Sequence, residues 1–79
     1  MAVVDAPFEQ ALVWLKEGKR VARTGWNGLG QSIALQVPDA HSKMTLPYLY
    51  ISTVRGDLVP WLASQTDLLA ADWFEVGGR

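Results

Sequence analysis

Two short segments hold the side chains with the most chemistry to offer. Gly25-Trp26-Asn27-Gly28 and Val59-Pro60-Trp61-Leu62-Ala63-Ser64-Gln65-Thr66-Asp67 each set a flat indole beside small polar groups and turn-forming residues. That combination suits a planar ring carrying a phosphate, and a base stacked on an aromatic face gains about 1–3 kcal/mol. Neither segment holds a Cys, a His or a nucleophile beside a base. The chemistry they offer is therefore binding, with no catalytic residue and no metal ligand set to assign.

Each candidate has a binding role and a plainer one. Trp26 is the leading stacking platform for a purine; its plainer role is a hydrophobic plug beside a hairpin. The Asn27 amide can read a base edge or a ribose, or Asn27 and Gly28 can simply make the turn. Trp61 can add a second ring or fill the core where a strand ends. Ser64, Gln65 and Thr66 fall where a helix begins, and free backbone N–H groups there favour an anion. Asp67 can accept from ribose hydroxyls or complete a Ser64-x-x-Asp67 capping box. Tyr48 and Tyr50 can line a pocket or pack between subunits. Arg20, Arg23 and Lys43 are candidate phosphate contacts, although a solvated surface is the commoner fate of such side chains. His41 stands in a polar loop without a second His or a Cys nearby, and Arg55-Gly56-Asp57 reads as a turn.

Seventy-nine residues make one small domain, with a core expected over about residues 7–76. A chain of this length hides only roughly 60–65% of the surface that its unfolded form exposes. There is no cysteine to staple it, yet 49% of its residues are hydrophobic. Interfaces between copies can supply the missing burial, so the composition predicts a homo-oligomer. Seven basic and eight acidic residues are interspersed to a net charge of −1. This is not the basic stripe that long DNA or RNA requires, whereas one or two phosphates need only a few local donors. No apolar run approaches the ~18–20 residues of a membrane span, and no secretory signal opens the chain, so the expectation is a cytosolic protein.

The elements that must position these residues follow from periodicity. Phe8, Ala11, Leu12 and Leu15 recur with helical spacing inside a helix expected over 7–17, stopped by Gly18. Trp14 lies off that stripe, either flanking the core or touching a partner. Strands are expected over 19–24 and 32–37, joined by the Asn27-Gly28 turn. Residues 46–54 make the clearest strand, followed by a turn at Arg55-Gly56 and a pairing strand over 58–61. A short helix over 64–71 and a closing strand from Trp73 to Val76 complete the chain. The fold class is α+β: one N-terminal helix packed on a small antiparallel sheet, with a short C-terminal helix.

The motifs in order are Lys16-Glu17-Gly18-Lys19, Val21-Ala22-Arg23-x-Gly25-Trp26-Asn27-Gly28, Lys43-Met44-x-Leu46-Pro47-Tyr48, the nine residues Val59–Asp67, and Ala70-x-Asp72-Trp73. Together they resemble the phage and prophage proteins of the second Thoeris anti-defence type. The resemblance spans about Phe8 to Val76, and the Val59–Asp67 segment is its most specific part. It implies a sponge for immune signals: Thoeris systems make cyclic ADP-ribose isomers on infection, and such proteins capture the glyco-cyclic isomer without cleaving it. For some members it also implies capture of cyclic dinucleotides or trinucleotides. It further implies a homotetramer with pockets at subunit interfaces, acting in the cytoplasm of the infected bacterial host. Trp26, Asn27, Gly28, Tyr50, Trp61, Ser64, Gln65, Thr66 and Asp67 are then the expected ligand contacts, with Arg23 and Lys43 near phosphate. Cofactors are not expected. One departure stands out, since relatives usually carry Glu where this chain has Ala71.

Two rivals belong to other classes. An enzyme degrading such a signal would need a positioned base, paired carboxylates or a metal, and would release altered ligand. A protein-interaction module would use its tryptophans on a partner and take up no nucleotide.

Overall fold

The computed structural model describes residues 5–26 and 30–76. Helix α1 (Phe8–Lys16) forms where the apolar spacing predicts it. Ala11 and Leu15 are fully buried, with Phe8, Leu12 and Trp14 packed around them, so Trp14 flanks the core. The helix has no side-chain cap at Pro7. Its start is pinned instead by Ala6, which exchanges two backbone hydrogen bonds with Trp73 at 2.9 and 3.0 Å. Gly18 ends the helix at φ +90°, a conformation that costs glycine little, and its N–H donates to the Leu15 carbonyl.

The five strands are β1 (Arg20–Arg23), β2 (Ser32–Gln36), β3 (Tyr48–Ser52), β4 (Leu58–Pro60) and β5 (Trp73–Val76). They form one antiparallel sheet in the order β4-β3-β2-β1-β5. The expected strand over 46–54 is shorter at both ends. Pro47 has no N–H to give a ladder, and beyond Ser52 the Thr53 N–H turns to the Asp57 carbonyl at 2.8 Å. Gly56 closes that turn at φ +89°. Helix α2 (Gln65–Leu69) is likewise shorter than its expected span, beginning after Ser64 as N-cap and ending at Ala70. The Asn27-Gly28 turn lies outside the described residues.

Register fixes the faces. Val21, Ile33 and Ile51 share one side, with Arg23 and Trp73 paired further along it. Both helices lie on this side, where Ala11, Leu15, Val21, Ile33 and Trp73 make the buried core. Full burial of one such leucine or isoleucine contributes about 1.5–3 kcal/mol. The opposite side carries Ala22, Ala34, Tyr48, Tyr50, Leu58, Pro60 and Phe74, and neither helix packs on it. Among the described residues no helix is long and apolar enough to cross a membrane.

Candidate functional site

Trp73 is the hub of the candidate corner. The first residue of β5, it is fully buried, and its indole N–H donates to the Asp67 carbonyl at 3.0 Å. Three rings pack around it. Trp26 meets it edge-on at 5.4 Å and 79°, Trp61 at 6.0 Å and 87°, and Phe8 at 5.3 Å and 60°. Edge-to-face contacts of this kind add about 0.5–1.5 kcal/mol beyond the area they bury. The two indoles that the sequence singles out, 35 residues apart by number (61 − 26), thus flank one buried ring. Both are half-buried, which leaves part of each at the surface.

The polar side of the corner is one connected network. Alternation puts Arg23 on the same face as Val21, so its guanidinium turns inward toward α2 and β5. It donates from Nη1 to Asp67 Oδ1 at 2.9 Å and from Nε to Asp72 Oδ1 at 2.8 Å. Asp67 Oδ1 also accepts the Trp26 indole N–H at 3.2 Å. The other Asp67 oxygen accepts the Ser64 N–H at 3.3 Å, while the Asp67 N–H donates to Ser64 Oγ at 3.0 Å. The predicted capping box is therefore present and carries extra duty: the carboxylate that closes it also holds Arg23 and Trp26. Asp72 Oδ2 accepts the Gly25 N–H at 2.9 Å. A Cβ at Gly25 would stand 2.9 Å from that oxygen, so a larger residue here would have to push the Asp72 carboxylate aside.

Titration follows the contacts. The hydrogen bonds that Arg23 donates to Asp72 and then to Asp67 raise its guanidinium above its usual value. Burial pushes Asp67 up, but the bonds from Arg23, Trp26 and Ser64 together outweigh it and hold the carboxyl below the usual aspartate range. Asp72 is also lowered, chiefly by Arg23 against the opposing effect of burial, with help from the Gly25 N–H.

Beside Trp61 the surface opens into a mainly apolar groove of about 490 Å³, lined among others by Met44, Leu46, Pro47, Tyr48 and Pro60. Small-molecule sites run to about 300–1,000 Å³. A smaller hollow of about 150 Å³ lies between Gln36, Tyr48, Tyr50 and Leu58.

The expected contacts thus divide. Trp26, Trp61, Ser64 and Asp67 gather at the corner, and Gln65 and Thr66 are exposed in the first turn of α2. Tyr50 pairs with Pro60 on the helix-free side of the sheet. Lys43 is exposed in the loop before β3. Arg23 is engaged by two carboxylates rather than facing solvent, with 15% of its side chain exposed. Asn27 and Gly28 lie outside the described residues. His41 lies in a loop organised by Asp39, whose carboxylate accepts the His41 N–H at 2.8 Å and the Ser42 hydroxyl at 3.1 Å. Asp72 and the groove were not foreseen as parts of the site. Asp72 had a signal: an arginine on the core-facing parity of a strand demands a carboxylate partner. The groove had none, since it depends on how the loop before β3 folds back toward Trp61. Among the described residues no cluster of three or more His, Cys, Asp or Glu side chains could hold a metal.

Comparison with known proteins places this architecture. Residues 6–76 match the family described as the Thoeris anti-defense 2-like domain. The chain is also 33% identical to "Thoeris anti-defense 2" of Bacillus phage SP01, over 84% of this chain and 89% of that protein.

Proposed function

The chain belongs to the Thoeris anti-defense 2-like family, and from that premise we propose that it disarms bacterial immunity by sequestering a cyclic nucleotide signal. The ligand is a cyclic ADP-ribose-type molecule, the glyco-cyclic isomer first among them, with cyclic dinucleotides and trinucleotides as a second class. The protein holds this signal without cleaving it, in the cytoplasm of the infected host.

The observation that carries the reading is the convergence of Trp26 and Trp61 on Trp73 beside an open apolar groove. Two aromatic surfaces at one corner offer stacking to a purine, and the polar first turn of α2 offers donors and acceptors to ribose and phosphate. Nanomolar retention corresponds to roughly −12 kcal/mol, which one protomer's partly open surface does not enclose. A homotetramer with pockets between subunits meets that need. The helix-free face, with Leu58 64% exposed, supports self-association.

Calorimetric titration with glyco-cyclic ADP-ribose and with cyclic dinucleotides tests the reading. The complex is then denatured and the released ligand identified by chromatography. Tight uptake with the ligand recovered intact is the expected result. Altered ligand makes the protein an enzyme, and no uptake of any nucleotide moves its tryptophans to a protein partner.

A further inference from the structure

We propose that Arg23 is a positioning residue that sets the Trp26 indole against α2 before any ligand arrives. The proposal rests on the reading of Trp26 as a stacking surface for a nucleotide.

Three contacts carry it. Arg23 bridges two carboxylates that lie 44 and 49 residues away in the chain, one in α2 and one just before β5. The same Asp67 Oδ1 that takes the Arg23 Nη1–H takes the Trp26 Nε1–H, so the direction of the ring follows the placement of the guanidinium. At the other end, Asp72 Oδ2 holds the Gly25 N–H, which fixes the backbone immediately before Trp26. Trp26 is thus tied through its ring by Asp67 and through its preceding peptide by Asp72, and Arg23 is the group that touches both. A half-buried indole held at two points enters the complex with its orientation already fixed, which lowers the ordering cost of binding.

The competing role for Arg23 is direct neutralisation of a phosphate. That would require breaking ion pairs of 2.8 and 2.9 Å, at a cluster whose formal charge is one arginine against two aspartates. The two roles predict opposite signs at Asp72. Under simple electrostatics, removing a negative charge near an anionic ligand strengthens binding. Under the positioning role it releases either Gly25 or the Arg23 Nε–H, because one amide oxygen replaces two carboxylate oxygens, and weakens binding.

The test compares the wild-type protein with Arg23→Lys, Asp72→Asn, Trp26→Phe and the Arg23→Lys/Trp26→Phe double variant, all with glyco-cyclic ADP-ribose as probe. Affinity is read by calorimetry, assembly size by light scattering, and exchange of the Trp26 indole proton by NMR of the ligand-free protein. Arg23→Lys and Asp72→Asn are each expected to weaken uptake roughly tenfold or more, in proteins of unchanged assembly size. Exchange of the indole proton is expected to be faster in both. Because Trp26→Phe removes the N–H by which Asp67 ties the ring and leaves only the Asp72–Gly25 tie, Arg23→Lys should have a smaller effect in that background than in the wild-type protein. Wild-type affinity in Arg23→Lys, tighter binding in Asp72→Asn, or unchanged indole exchange overturns the proposal. If Arg23→Lys does not fold, Asp72→Asn carries the test: weakened uptake with faster indole exchange supports the positioning role, and wild-type or tighter uptake overturns it. Absence of uptake by the wild-type protein overturns the functional reading, and this proposal with it, whereas wild-type uptake with unaffected variants overturns the positioning role alone.

Discussion

Replacing Asp67 by asparagine keeps the shape of the side chain and removes the charge at the centre of the corner. The carboxylate accepts three donors: Arg23 Nη1 at 2.9 Å, Trp26 Nε1 at 3.2 Å and the Ser64 N–H at 3.3 Å. An asparagine has one oxygen and one NH2, so whichever way it turns, a donor faces a donor. Hydrogen bonds to charged groups contribute about 1.5–3 kcal/mol, and a buried donor left without a partner costs about 1–3 kcal/mol. Arg23 keeps Asp72, and about a seventh of the Arg23 and Asp67 side chains remains in contact with water, so the loss belongs toward the lower part of that range. We expect destabilisation of about 2 kcal/mol at neutral pH, a fall in melting temperature of roughly 8–16 °C for a domain of this size. The pH dependence is sharper than the magnitude. Asp67 is held below its ordinary value in the folded protein. Its contribution is therefore complete above the unfolded value of about 3.9 and is lost as pH falls through the lower folded value. Asparagine does not titrate, and Asp72 titrates in both proteins. The stability gap between wild type and variant should then be constant near neutrality and close in acid, below about pH 3.9. Thermal or urea unfolding at one fixed protein concentration measures it, since assembly shifts apparent stability. A gap within about 0.5 kcal/mol at neutral pH, or one undiminished in acid, would refute the account of Asp67 as the charged centre of the network.

Trp26→Ala should lower nucleotide affinity by roughly ten- to a hundredfold while assembly size and circular dichroism stay as in wild type; unchanged affinity on calorimetry would remove Trp26 from the site. Gly25→Ala places a methyl 2.9 Å from Asp72 Oδ2, and should lower the melting temperature by the equivalent of about 1 kcal/mol. An unaltered midpoint would mean that Asp72 swings away freely. Leu58→Asp sets a charge on the helix-free face of the sheet, where Leu58 is 64% exposed. Sedimentation should then show a smaller species with its secondary structure intact, and an unchanged mass would clear that face of any part in assembly.

Much of the fold was legible in local patterns. The helical stripe of Phe8, Ala11, Leu12 and Leu15, the Ser64-x-x-Asp67 cap and the alternation around Tyr48–Ser52 each follow from short-range spacing, and each formed. Strand ends were less legible, because alternation continues in sequence past the point where Pro47 or the Thr53 turn withdraws backbone partners. The candidate site was legible as a set of residues but not as an arrangement. Trp26 and Trp61 could be chosen by their neighbours, yet only the return of β5 to the edge of β1 places Trp73 between them. The same long-range pairing brings Asp72 to Arg23, turning a candidate phosphate contact into one side of an internal clamp. Periodicity does not carry contacts made 49 residues apart.

The charges of the corner bear on how capture and assembly are related. Arg23 stands against Asp67 and Asp72, so this part of one protomer is anionic in sum and its one arginine is already engaged. A nucleotide held there would stack on its rings but would find its phosphates facing carboxylates. Among the described residues the basic groups outside ion pairs are Lys16, Arg20, Lys43 and Arg55, all exposed. Arg20 lies on the helix-free side of the sheet, Lys16 ends α1, and Arg55 sits in the turn before β4. Lys43 directly precedes Met44, which lines the groove that reaches Trp61. Aromatic grip and phosphate charge come, on the proposed reading, from different segments, the first from the Trp73 corner and the second from the loop before β3 or from another copy of the chain. On the proposed reading a single protomer presents the aromatic half of a site, and closing the charged half against it is the same event as bringing subunits together.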